Sequence, residues 1–359
     1  MTMAIEATAG LRLLAVESSC DETAVAIVEA GRRILASVVA SQTVLHARTG
    51  GIVPEVAARA HLRWMLPVLD EAIARAGLHD AGDVDAIAVT FGPGLAGSLL
   101  VGLTMAKTLA FLHDRPLVAV NHLEGHIYAG WLLDPGEEAE APDFPAVALV
   151  VSGGHTFLVE MRDHLSYRLL GQTVDDAAGE AFDKVGRLLG LPYPGGPAIQ
   201  RAAEDAGSHR RRLPRAWLGD SLDFSFSGLK TAVRRMVIAE VGGTADDGAA
   251  VPDALAAEIA AGFQDSVVDV LATKTALAAQ RCGARTIVLG GGVAANGPLR
   301  AAMGERAATL GARLVVPRPD LCTDNGAMIG AAGYRRFLAG ERAGLDLDAR
   351  PSLKLARPA

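Results

Sequence analysis

Residues 11–39, LRLLAVESSCDETAVAIVEAGRRILASVV, decide the fold. Apolar, β-branched runs over 11–17, 23–29 and 32–39 are separated by short polar turns, which predicts a three-stranded meander. Working outward, a helical period follows with Leu62, Met65, Leu66, Leu69 and Ile73 on one face. A strand over 86–90, a second helix from about Ser98 and a strand over 117–121 complete a βββαβαβ order. The stretch 146–170, AVALVVSGGHTFLVEMRDHLSYRLL, restarts the same plan with strands over 146–151, 156–161 and 167–170 and a helix over 175–189. Helices over 228–241 and 252–279, a strand over 286–289, a helix after Asn296, a strand over 314–316 and a last helix from Asp324 follow. An acidic segment with three prolines, 134–145, separates the copies and reads as a surface linker.

The repeat predicts an N-terminal lobe over 1–133, the linker over 134–145, a C-terminal lobe over 146–341 and a tail over 342–359. Two mostly parallel α/β sheets of this kind place a nucleotide cleft between the lobes. The matching hairpin turns, Ser18–Asp21 and Ser152–His155, are small and polar, so their backbone amides could face a phosphate from both sides or could be ordinary tight turns.

Composition narrows the function classes. The chain has 359 residues, half of them hydrophobic, enough for two cores. A net charge of −7 argues against a bare nucleic-acid binder, so RNA contact has to be local or shared with a partner. Basic residues do cluster at Arg210, Arg211, Arg212 and Arg215, and at Lys230, Arg234 and Arg235. Three cysteines without CxxC spacing fit a reducing cytoplasm and exclude a thiolate metal cluster. No signal peptide and no membrane span are expected.

Several motifs carry chemistry. His122 and His126 lie four apart at the start of a predicted helix, on one face and within reach of a single divalent ion. Asp324 completes a two-histidine, one-carboxylate set or is a simple helix N-cap. Glu124, two positions from each histidine, is turned away by about 160° and is not a general base to that ion. Gly290–Gly292 forms a strand-to-helix turn where Asn296 could cap the helix or bond a ribose or base. The Gly92–Gly97 run points to tight helix packing across the cleft. Asp176, Glu180 and Asp183 share one helix side and, with Tyr193–Pro197 following, could meet ribose hydroxyls. Glu17, ending the first strand beside the cleft, is a candidate for proton transfer or for orienting a metal ligand.

Ten ordered segments, VESSCDET at 16–23, GGIVPEVAARAH at 50–61, GPGLAGSLLVGL at 92–103, NHLEGH at 121–126, VSGGHT at 151–156, DDAAGEAFDK at 175–184, YPGGP at 193–197, DFSFSGLKTA at 223–232, GGGVAAN at 290–296 and CTDNGAMIG at 322–330, closely resemble the TsaD family, also called glycoprotease-like. The resemblance spans roughly residues 13 to 339, and Thr49 stands where the family has a tyrosine. It implies an actin-like ASKHA ATPase fold of two RNase H-like lobes. It also implies transfer of threonylcarbamoyl from threonylcarbamoyl-AMP to the N6 amine of the adenosine beside the anticodon of tRNA. On the same basis His122, His126 and Asp324 hold one divalent metal, iron(II) or zinc. Val150, Val151, Ser152, Gly153, Gly154, Asp183, Gly196 and Asn296 hold the adenylate, with ATP or ADP able to occupy the same cleft, and Glu17, Ser152 and His155 are the catalytic candidates. The implied partners are tRNA, a shorter TsaB-like homologue forming a heterodimer, a TsaE-like ATPase and a synthase supplying the adenylate. A non-catalytic nucleotide-gated scaffold, a metallopeptidase and a sugar kinase are the alternatives.

Overall fold

The computed structural model describes residues 10–47, 51–242 and 251–355, so Thr49 lies outside the described residues. The chain divides into two compact units, residues 1–142 with 320–357, and residues 143–319 with 358–359.

In the first unit, β1 (Arg12–Glu17), β2 (Glu22–Glu29) and β3 (Arg33–Ser41) form the expected antiparallel meander. Then β4 (Ala86–Gly92) and β5 (Leu117–Asn121) extend the sheet in parallel, giving the order β3-β2-β1-β4-β5. The central strands are buried on both faces, which is why they read as unbroken apolar runs. Helices α1 (Thr43–Ala47), α2 (Pro54–Arg75), α3 (Ala96–Leu112) and α4 (His122–Tyr128) follow the chain between and after these strands. The core-facing side of α2 differs from the expected one. Ala57, Met65, Val68, Leu69 and Ala72 are buried, while Leu62 and Leu66 stay 68% and 58% exposed. At its start α2 lies close to α3: a Cβ on Gly97 would stand 3.1 Å from that of Ala58.

The second unit repeats the sheet, with β6 (Ala146–Val151), β7 (Thr156–Asp163), β8 (Ser166–Gln172), β9 (Thr286–Gly290) and β10 (Arg313–Val315) in the order β10-β9-β6-β7-β8. Its helices are α5 (Ala178–Leu188), α6 (Gly195–Asp205), α7 (Ser227–Val241), α8 (Asp253–Cys282) and α9 (Gly297–Leu310). The acidic segment is divided between the units, with Arg32 Nη2 donating to the carbonyl of Ala139 at 2.8 Å and the amide of Asp143 to Thr286 Oγ1 at 3.1 Å.

After α10 (Pro319–Cys322), the last helix, α11 (Gly326–Leu338), returns to the first unit instead of closing the second lobe, which corrects the boundary expected at 146–341. Its glycines explain the seat. A Cβ on Gly326 would lie 2.6 Å from the amide nitrogen of Ala26, one on Gly330 2.7 Å from Val28, and one on Gly333 2.7 Å from Ala88. Only a helix bare at these positions can lie directly on β1, β2 and β4. The tail then lines the same sheet, with Arg350 N donating to the carbonyl of Phe91 at 2.7 Å and Asn121 Nδ2 to that of Lys354 at 3.2 Å.

Candidate metal centre and nucleotide-binding residues

In the first unit, β5 runs into α4 through Asn121, whose Oδ1 accepts the amide of Leu123 at 2.9 Å and caps the helix. All seven residues of α4 are buried. Its one glycine, Gly125, faces α11, where a Cβ would meet Ile329 Cδ1 at 2.8 Å. The helical spacing places the His122 and His126 rings edge to face, with centroids 4.7 Å apart. Asp324 Oδ1 lies 3.5 Å from His122 Nε2 and 3.2 Å from His126 Nε2. Asn325, not Asp324, caps α11, accepting the amide of Met328 at 2.9 Å.

These three side chains offer ligand atoms within 4.8 Å of one another. Tetrahedral ligands about 2.0–2.1 Å from a zinc-like ion stand roughly 3.3 Å apart, which is the spacing of Asp324 from both imidazoles. Among the described residues, buried His126 has no hydrogen-bond partner at either ring nitrogen, and its approach to Asp324 lacks hydrogen-bond geometry. An orphaned imidazole next to a carboxylate fits a cation.

Behind His122 stands Glu17, fully buried. Its Oε2 is 3.0 Å from His122 Nδ1 and accepts Thr90 Oγ1 at 2.6 Å, while Oε1 accepts the amide of Ser19. Ser19 Oγ is 3.1 Å from the same Nδ1. The carboxylate therefore fixes the ring so that Nε2 faces Asp324. Both carboxylate oxygens of buried Glu17 are engaged by protein groups, which supports an orienting role. Burial raises the Glu17 carboxyl, but the His122 charge and hydrogen bond outweigh it and hold the group below its ordinary value. Burial likewise disfavours charge on His122, yet Asp324 and Glu17 lift it to about 9. Burial, Asp324 and Asp21 push Glu22 up to about 9. The pocket thus strongly favours a positive charge.

The turn Ser18–Asp21 is no phosphate cradle. Ser18 Oγ donates to the carbonyl of Ser98 at 2.8 Å and accepts the amide of Gly102 at 3.2 Å, and Gly94 is pressed against Ser19. The glycines of 92–103 serve close packing inside the first unit, Gly94 and Gly102 against this turn, Gly97 against Ala58 and Gly92 against the backbone of Arg350.

In the second unit, Val150 and Val151 are buried at the end of β6, and Ser152 closes the turn by donating its amide to the carbonyl of His155 at 2.8 Å and accepting the His155 amide on Oγ at 3.1 Å. Gly153 and Gly154 are exposed, their amides have no acceptor among the described residues, and a Cβ on either would meet nothing. Three helix starts gather around this turn or one another. Gly179 of α5 donates to the Ser152 carbonyl at 3.2 Å, Asp183 Oδ1 accepts Gly195 N of α6 at 2.7 Å, and Gly291, at φ +86°, lies on the backbone of Val151. Gly196 is partly exposed with open space where a Cβ would be.

Asn296 takes the capping alternative. Its Oδ1 accepts Leu299 N at 3.0 Å, and Nδ2 donates to Gln264 Oε1 at 2.9 Å and Gln200 Oε1 at 3.1 Å. The expected shared acidic face also dissolves. Asp176 lies before α5 and, with Glu180, binds Lys184 at 2.8 Å each, while Asp175 accepts the hydroxyls of Ser225 and Ser227 at 2.5 and 2.6 Å and starts α7. Gln200, Gln264 and Thr90 were invisible in the sequence taken alone. For Thr90 the parallel register supplies a signal, since Val16 pairs Val89 and the next step faces Glu17.

Residues 33–331 match the family TsaD: tRNA N6-adenosine threonylcarbamoyltransferase. Curated relatives bearing that name include one from Thermomicrobium roseum, 54% identical with 96% of each chain covered, and one from Bacillus subtilis, 50% identical with 96% of this chain and 95% of the relative covered. Among solved structures, T. kodakarensis HypF is similar at TM-score 0.59 and 13% identity, covering 92% of this chain and 48% of its own. The activator of 2-hydroxyisocaproyl-CoA dehydratase from Clostridium difficile is similar at TM-score 0.51 and 16% identity, covering 92% and 96%. These two likenesses show the ATPase-type fold.

Proposed function

This chain belongs to the TsaD family of tRNA N6-adenosine threonylcarbamoyltransferases, and on that premise we propose how its residues serve the transfer. The donor is threonylcarbamoyl-AMP and the acceptor is the N6 amine of adenosine 37 in tRNAs that read codons beginning with A. The amine nitrogen forms a bond to the carbamoyl carbon, the bond from that carbon to the phosphate oxygen breaks, AMP leaves, and the amine gives up a proton. Because such an amine is a weak nucleophile, holding the reactants in line supplies much of the acceleration.

His122, His126 and Asp324 would hold one divalent metal, iron(II) or zinc, whose Lewis acidity would serve to polarise an acyl or carboxylate oxygen. The observation that carries this assignment is the orphaned His126 ring beside Asp324. Glu17 and Ser19 hold His122 by Nδ1 and present Nε2 to the metal, so Glu17 is a positioning residue. In the second unit the uncommitted amides of Gly153 and Gly154 donate to the adenylate phosphate, and Ser152 and His155 keep that turn closed. Val150, Val151, Asp183, Gly196 and Asn296 shape the rest, Asp183 and Asn296 by fixing the starts of α6 and α9.

Partners complete the account: a TsaB-like homologue forming a heterodimer, a TsaE-like ATPase and the synthase that supplies the adenylate. Arg210, Arg211 and Arg215 are ion-paired with Asp265, Glu258 and Asp269, so their charge is largely spent before any RNA arrives. No helix among the described residues is long and apolar enough to cross a membrane, and a tRNA substrate assigns the enzyme to the cytoplasm. Supplying synthetic threonylcarbamoyl-AMP and unmodified tRNA to the purified heterodimer tests the reading. Transfer that vanishes on chelation and returns with iron(II) or zinc is the expected result, and no transfer under any metal would favour a nucleotide-gated scaffold.

A further inference from the structure

Helix α4 carries function on two sides. One side presents His122 and His126; the other presents Glu124, which is buried and accepts Arg336 Nε at 2.6 Å and Nη2 at 2.8 Å. Arg336 also meets Glu341 through its remaining terminal nitrogen. Arg336 lies on α11, and Asp324 stands two residues ahead of that helix. The third ligand therefore sits just ahead of this rod and the guanidinium ten positions into it, about 15 Å along the axis. Between them, Gly125 lets α4 rest on Met328 and Ile329.

A helix of seven residues is far too short to hold its place by backbone bonding alone. Apolar contact is non-directional and fixes register poorly. A two-pronged guanidinium–carboxylate contact is directional to a fraction of an ångström, and a buried ion pair is better suited to fixing register than to adding stability. We propose that Glu124 and Arg336 form a positioning pair that sets α4 against α11, and with it the distances of His122 and His126 from Asp324. This rests on reading those three residues as a metal site.

The test is cobalt(II) titration of the full chain, followed by visible absorption. Glu124→Gln and Arg336→Met each weaken cobalt binding about 10- to 100-fold and alter the band shape of the bound ion. The double variant is no weaker than the poorer single one, because either change removes the same contact. Val68→Ala, which opens a cavity under α2, lowers thermal stability but leaves cobalt affinity within about twofold. If the two truncations do not fold, Arg336→Lys, which keeps the charge and loses the fork, carries the comparison. Folded variants binding cobalt as tightly as the parent chain, with an unchanged spectrum, would overturn the proposal. A parent chain that binds no cobalt, or a His126→Ala variant that binds it equally well, overturns instead the metal reading beneath it.

Discussion

The two hairpin turns occupy the same place in the repeat and have been put to opposite uses. Ser18–Asp21 is sealed: the Ser18 hydroxyl is taken by Ser98 and Gly102, the Ser19 hydroxyl by the His122 imidazole and the Ser19 amide by Glu17. Ser152–His155 is more open: Ser152 bonds His155 across the turn and accepts the Gly179 amide, and the two glycine amides are exposed with no acceptor among the described residues. The difference teaches that a duplicated strand–turn–strand specifies a location, and the side chains within it specify the ligand. On the proposed reading, the turn in the first unit supports a cation site and the turn in the second offers donors to an anion.

The sharpest way to break this division is at the sealed side. Asp324→Asn removes the anionic ligand, and transfer is expected to fall by at least about a hundredfold with loss of bound metal, while AMP affinity stays within about twofold. Kinetics with elemental analysis and AMP titration check all three. Glu17→Gln keeps the shape but weakens the hold on His122, so metal affinity drops about 10- to 100-fold, read by competition with a chelating dye.

Acidity sharpens the same side. His122 is raised to about 9 in the metal-free fold, so below that value a proton has to leave before metal binds. Apparent metal affinity then rises about tenfold per pH unit between pH 7 and 9 and levels off above. Without metal the sign reverses. The raised pKa stabilises the fold fully below about 6.5, the ordinary histidine value, and that stability is lost as pH climbs through 9. Melting curves of metal-free protein from pH 6 to 9.5 should therefore fall, and an Asp324→Asn variant should fall less.

The smallest effects separate the turns from each other. Ser152→Ala deletes the acceptor that closes the open turn and should weaken AMP binding about threefold to tenfold with little change in melting temperature. Ser18→Ala removes two buried hydrogen bonds and should cost about 1–3 kcal/mol of stability without touching AMP affinity. A calorimetric titration and a denaturant curve on each variant distinguish the outcomes; identical behaviour of the two would abolish the contrast.

Much of this was legible in the sequence because it is local. Strand periodicity gave the meander twice, and i, i+4 spacing placed His122 and His126 on one face. What stayed hidden depends on distant partners. The return of α11 to the first unit follows from Gly326, Gly330 and Gly333 fitting a sheet laid down three hundred residues earlier. Leu62 and Leu66 read as core because their period is helical, yet α2 turns Ala57, Met65, Val68, Leu69 and Ala72 inward and leaves these two exposed. Helical spacing puts Asp176, Glu180 and Asp183 on one side, but Lys184 pairs with the first two and the amide of Gly195 with the third. Asn296 was left between cap and ligand, and Gln200 with Gln264 decides for the cap.

The most direct measurement is anomalous diffraction from crystals grown with iron(II) or zinc, recorded on both sides of the metal's absorption edge. A single peak about 2.0–2.2 Å from His122 Nε2, a ring nitrogen of His126 and a carboxylate oxygen of Asp324 is the predicted result. A metal-loaded, active enzyme whose peak lies on other side chains would contradict the account.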